Sequence, residues 1–148
     1  MPKENLNFII TLSGTHWNKF PEFSVWVDDE KIDQGEIKNN SHVVNFNCNL
    51  EHGEHVLKIR LENKNQSTDT VVENGKIVKD MLLNIDDITI DEISLGHMMW
   101  SADYLLDSPQ EYQGQMISQL DNCVNLGWNG TYALKFSSPF YLWLLEKL

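Results

Sequence analysis

Asn74-Gly75 lies between two β-prone runs, Thr70-Val71-Val72-Glu73 and Lys76-Ile77-Val78-Lys79. A two-residue type I′ turn needs positive φ at both central positions, and Asn-Gly is the pair that meets this need best. The stretch is therefore expected to project as a hairpin, which commits its surroundings to antiparallel β-structure. Counting outward from the turn, Glu73 faces Lys76, Val72 faces Ile77, Val71 faces Val78 and Thr70 faces Lys79. The next pair is Asp69 opposite Asp80. Like charges directly opposite one another are unfavourable. The base of the hairpin thus calls for a cation, a hydrogen-bond donor or splayed strands.

The rest of the chain carries the same two-residue period. Phe8 to Leu12 reads as a first strand. Phe23, Val25 and Val27 form an apolar set with Trp26 on the opposite face, and Ile32 to Ile37 returns the chain. Val44, Phe46 and Cys48 alternate with polar neighbours, and Leu57, Ile59 and Leu61 point inward while Lys58 and Arg60 point outward. In Met81 to Ile90 the apolar set changes parity, from Leu83 and Ile85 to Ile88 and Ile90, which predicts a β-bulge or sharp bend at Asp86-Asp87. Tyr132, Leu134 and Phe136 alternate again before Pro139. Residues 95–126 are the least regular: Met98 to Trp100 reads as a short strand and Ser101 to Gln115 as an ordered loop. Phe140 to Leu145 reads as a strand, with a short helix as the alternative. Roughly eight short strands with turns at regular intervals predict an all-β fold. The expected architecture is a single-domain, two-sheet antiparallel β-sandwich, jelly-roll-like, over 1–148, with the hairpin projecting at Asn74-Gly75.

The balance of 11 Lys+Arg against 22 Asp+Glu, a formal net charge of −11, repels phosphate backbones and argues against nucleic acid as a partner. No apolar stretch reaches the length of a membrane span. The first ten residues are too polar for a secretory signal, so the expectation is a protein made in the cytoplasm and kept there or packaged into a virion. The two cysteines, Cys48 and Cys123, can be free or paired, with a buried free thiol favoured for Cys48.

Two segments resemble a known family. Gly53 to Asn63 (GEHVLKIRLEN) resembles the strand of the calcium-dependent xylan-binding modules that leads into their ligand loop, and Asp80 to Ile88 (DMLLNIDDI) resembles a later strand of the same family. Together they cover about a third of the chain, and their residues are common in strands. The resemblance implies a β-sandwich in which a loop calcium holds sugar hydroxyls, with Asn63 and Asp80 at matching positions. Lys64 stands where the family has an acidic residue, and the hairpin is an insertion. Family members are usually attached to glycosidases. A free-standing sandwich of this type resembles domains of phage fibres and tails.

The candidate residues follow from both lines of reasoning. Asn63, Asp69, Asp80 and Asp86 offer a dense set of oxygens without thiolates, which suits calcium as a hard cation. The competing reading is a solvated hairpin base neutralised by Lys64 and Lys79. Trp26, Trp100, Trp128 and Asn129 have the chemistry of a sugar-binding surface, in which flat rings meet pyranose faces beside planar amides; packing is the alternative for each ring. Trp17 and Trp143 read as packing residues. His52 and His55 have helical metal-ligand spacing in a turn-to-strand context and no third ligand. No Ser-His or Cys-His nucleophile pattern is present, so a non-catalytic domain is expected. The expected partner is a polysaccharide or other glycan. The alternative is a virion assembly subunit, with apolar residues on both hairpin faces serving a protein partner or self-association.

Overall fold

The computed structural model describes residues 2–38 and 40–147. In chain order the strands are β1 (Lys3–Thr15), β2 (Glu22–Val27), β3 (Glu30–Glu36), β4 (His42–Glu51), β5 (Gly53–Leu61), β6 (Val71–Glu73), β7 (Lys76–Lys79), β8 (Leu82–Ile90), β9 (Ile93–Ser94), β10 (Asp103–Tyr112), β11 (Gln115–Asp121), β12 (Asn125–Leu126) and β13 (Gly130–Ser138). They form two antiparallel sheets. One has the order β12-β8-β1-β4 with β9 beside β8, and the other has the order β11-β10-β13-β5-β2-β3. β6 and β7 pair only with each other.

The core between the sheets is built from the alternating positions. Leu6, Phe8, Ile10 and Leu12 of β1 are buried, as are Phe23, Val25 and Val27 of β2 and Leu57, Ile59 and Leu61 of β5. Each such side chain contributes about 2 kcal/mol relative to exposure. The parity change in β8 is a bulge. Thr11 pairs with Asp87 while Leu12 pairs with Ile85, so Asp86 is the extra residue. That single insertion lets Leu83, Ile85, Ile88 and Ile90 all reach the core.

Three sequence expectations are corrected. Residues 140–145 are not a strand but part of a helix, α2 (Phe140–Lys147), the second after α1 (Gln66–Asp69), and it buries Phe140 and Trp143. A continuous apolar run hides the helical period, because exposed Tyr141, Leu142 and Leu145 are as apolar as their buried neighbours. The helix start is fixed from the other end of the chain: Glu4 Oε1 accepts from Phe140 N at 2.9 Å and from Ser138 Oγ at 2.6 Å. Second, Met98 to Trp100 lies in a 3-10 turn, Gly96–Ser101, and the expected loop after it is the β10–β11 hairpin. Its turn is Gln113-Gly114, with φ of 52° and 80°. Most of β11 is solvent-exposed, and the register skips from Leu105↔Gln119 to Gln110↔Ile117 past Pro109. Neither strand therefore carries a clean alternation.

The third correction concerns the projecting hairpin. Asn74 and Gly75 have φ of 54° and 77°, and Glu73↔Lys76 and Val72↔Ile77 pair as expected. The register then shifts, and Val71 pairs with Lys79 because Val78 is bulged out. Asp69 never faces Asp80. It ends a helical turn, α1 (Gln66–Asp69), whose Asn65 cap accepts from Ser67 N at 3.1 Å.

Candidate functional site

The two carboxylates at the hairpin base are separately satisfied. Asp69 is 1% exposed. Its Oδ2 accepts from Asn65 N at 2.7 Å and lies 3.0 Å from Lys19 Nζ, and its Oδ1 accepts from Asn18 Nδ2 at 2.7 Å. Trp17 is exposed rather than packed in the core; its Nε1 donates to Asp69 O at 2.8 Å, and Lys79 Nζ sits 4.8 Å from its ring centroid. Asp80 Oδ1 accepts from Lys64 Nζ at 2.6 Å, from Thr70 Oγ1 at 2.7 Å and from Met81 N at 2.8 Å. Burial opposes ionisation of both carboxyls, but these donors outweigh it and hold both below the usual aspartate range.

The remaining candidates for the metal set are engaged differently. Asn63 Oδ1 accepts from Glu22 N at 2.8 Å and its Nδ2 donates to Phe20 O at 3.1 Å, so this amide anchors the start of β2. Asp86 is the exposed bulge residue of β8. Among the described residues no three His, Cys, Asp or Glu side chains form a group able to hold a metal ion.

A different surface brings aromatic and polar groups together. On the outer face of the six-stranded sheet, Ser24 pairs with Arg60, which pairs with Thr131; in the next row Trp26 pairs with Lys58. Trp26 Nε1 donates to Ser24 Oγ at 2.9 Å. Ser24, 1% exposed, donates in turn to Glu62 Oε1. Arg60 Nε donates to the same Glu62 oxygen at 3.1 Å, and its guanidinium meets both Asp107 oxygens at 3.2 and 2.8 Å. The indole is thereby held at its edge. Its ring borders a groove of about 810 Å³ that is also lined by Ser24, Lys31, Gln34, Arg60 and Glu62. Lys31 Nζ, on an exposed side chain, lies 5.2 Å from the ring centroid. Of the residues lining this groove, the sequence singled out Trp26 as a sugar candidate and did not join Ser24 or Glu62 to it. The signal was their parity: Ser24 shares the outward phase of Trp26, and Glu62 that of Lys58 and Arg60.

The other sugar candidates are not in this groove. Trp100 is 43% exposed on the 3-10 turn. Trp128 is half-buried against the core and meets Tyr112 edge-on at 6.1 Å. The Asn129 amide is used on backbone: Oδ1 accepts from Lys64 N at 2.8 Å and Nδ2 donates to Lys64 O at 2.9 Å.

His55 is a structural group. Its Nδ1 lies 2.7 Å from Asp28 Oδ2 and its Nε2 lies 2.6 Å from Glu51 O, so only the doubly protonated ring donates at both positions. Burial disfavours the charge, but the Glu51 carbonyl and the Asp28 carboxylate prevail and raise the pKa. A raised histidine pKa gives stability that is complete below the unfolded value of about 6.5 and is lost as pH rises through the folded value. The stability difference between wild type and His55→Gln in urea unfolding is expected to be largest below about pH 6.5 and to shrink as pH rises through the folded-state value. A difference that grows with pH would contradict the assignment.

No family model matches the chain, and no curated protein matches it. Among solved structures, the carbohydrate-binding module vCBM60 in complex with galactobiose superposes with a TM-score of 0.57 at 9% identity, over 86% of this chain and 96% of that one. A selenomethionine form of vCBM60, from work linking two families of calcium-dependent carbohydrate-binding modules by circular permutation, gives a TM-score of 0.56 at 14% identity over 87% and 89%. The chain has the fold of a carbohydrate-binding module. The likeness of fold spans 86–87% of the chain.

Calcium, implied by the resemblance, does not fit Asn63, Asp69 and Asp80 as they are arranged here. Oxygens of these three are turned toward protein donors: Asp80 Oδ1 toward Lys64, Thr70 and Met81, both Asp69 oxygens toward Asn65, Asn18 and Lys19, and Asn63 Oδ1 toward Glu22. An ammonium occupies the point between Asp80 and the Gly127 carbonyl.

Proposed function

We propose that this protein is a non-catalytic carbohydrate-binding module whose sugar site is the groove beside Trp26. The observation that carries this reading is the fixed indole. Its edge is hydrogen-bonded to Ser24, and the planar groups of Glu62, Arg60 and Gln34 line the same groove. An aromatic platform beside planar donors and acceptors is what a pyranose needs, since its apolar face stacks and its hydroxyls both give and accept hydrogen bonds. The groove volume of about 810 Å³ falls in the range of small-ligand sites. Glu22, Glu36 and Glu62 are balanced there by Lys31, Lys38 and Arg60, so a neutral oligosaccharide suits it better than an acidic one. The fold likeness to a module described with galactobiose supports the same class of ligand. Screening a glycan array that includes galactobiose and xylo-oligosaccharides, followed by calorimetry on the hits, tests the reading. Absence of any array signal together with no heat at millimolar saccharide would sink it.

A second reading has its own observation. Val72, Ile77 and Val78 are exposed on the β6–β7 hairpin. Such a ribbon is marginal alone and fits a protein partner or a second copy, as in an assembly subunit of a virion. Replacing residues 71–78 by a short glycine-serine link is then expected to reduce self-association in sedimentation while the sandwich melts as before. If the native chain is monomeric at high concentration, the contact is not a self-contact, and retention of the deletion variant in assembled particles would remove this reading.

A further inference from the structure

We propose that the Lys64 ammonium serves as a built-in structural cation, taking the place of a metal ion and making the hairpin base and the loop before β13 independent of divalent cations. The Lys64 side chain is only 2% exposed, and its Nζ lies 2.6 Å from Asp80 Oδ1 and 2.6 Å from Gly127 O. A carboxylate and a backbone carbonyl are the oxygen types that a hard cation gathers. Here they gather an ammonium on a covalent tether.

The tether itself is fixed. Lys64 N and Lys64 O are both held by the Asn129 side-chain amide, at 2.8 and 2.9 Å. Four pieces of chain thus converge: the exit of β5 through Lys64, the entry to β6 through Thr70, the entry to β8 through Asp80 and Met81, and the Gly127–Asn129 loop. The one carboxylate present is already neutralised by the one ammonium. A divalent ion added beside them would leave excess positive charge next to an ammonium that is itself 2% exposed, which is unfavourable. The ion pair does locally what a bound metal does elsewhere, and it cannot be removed by a chelator.

The proposal does not rest on the glycan reading, because its readout is melting rather than binding. The wild-type melting temperature is expected to be the same in millimolar calcium and in excess EDTA. Lys64→Met keeps the apolar stem and removes the charge, leaving Asp80 unpaired, and is expected to lower the melting temperature by roughly 5 °C or more. The double variant Lys64→Met/Asp80→Asn removes both charges and is expected to recover most of that loss, and to fold even where the single variant does not. A rise of several degrees on adding calcium to wild type would overturn the proposal. So would Lys64→Met melting with wild type, or a double variant no more stable than the single one.

Discussion

Asp69→Ala is expected to destabilise the protein by about 2 kcal/mol, the typical cost of losing hydrogen bonds to a buried charged acceptor. The carboxylate joins the Trp17–Lys19 loop to α1, and its loss removes the acceptor of the Asn65 N–H and the Asn18 amide, so the buried end of that link is broken while both asparagines turn to solvent. Lys19 contributes less than these two, because its side chain is 40% exposed. The effect also has a pH signature. The Asp69 pKa is lowered in the folded state, the donors overcoming the cost of burial. A lowered carboxyl pKa gives stability that is present above the unfolded value of about 3.9 and is lost as pH falls through the folded value. The gap between wild type and Asp69→Ala in urea unfolding should therefore be full near neutral pH and narrow in acid. A gap that persists unchanged into acid would assign the effect to packing instead of charge.

Trp26→Ala is expected to weaken saccharide binding by about 2 kcal/mol, about 30-fold, as truncation of an aromatic anchor typically does. The ring is half-buried and stands on the outer sheet face, away from the Phe23, Val25 and Val27 core set. Its removal should leave the melting temperature close to wild type, so lost affinity cannot be charged to unfolding. Trp26→Phe keeps a flat face but loses the bond to Ser24 and should fall between the two. Trp100→Ala serves as the control, since Trp100 is exposed on the 3-10 turn and does not line the groove. Calorimetry with the best array ligand measures all three. Equal affinity in wild type and Trp26→Ala would move the site off this groove.

What could be read from the sequence follows from which physical signals are local. The core strands were legible because a half-buried strand writes its burial as alternation, and even the bulge at Asp86 left a trace as a change of parity. The Asn74-Gly75 turn was legible because positive φ restricts residue choice. Register beyond the turn was not. It depends on Val78 bulging out and on residues 66–69 forming a helical turn, which the alternating-pattern count had no reason to allow. The surroundings of the metal candidates were hidden for a related reason. A count of oxygens in one stretch cannot reveal that Lys64, Asn18 and Lys19 are folded onto them from inside and outside that stretch. The groove was half legible: parity placed Trp26 and Arg60 outward, but only the β2–β5 pairing puts Ser24 beside Arg60.

The hydrogen bonds from Ser138 and Phe140 to Glu4 close the polypeptide into a ring in all but covalent sense. The first strand and the last helix are neighbours. The β6–β7 tip at Asn74-Gly75 belongs to neither large sheet. A chain relinked across the Glu4–Phe140 contact and opened at that tip would keep every ladder of both sheets, with only the order in which the ribosome delivers them changed.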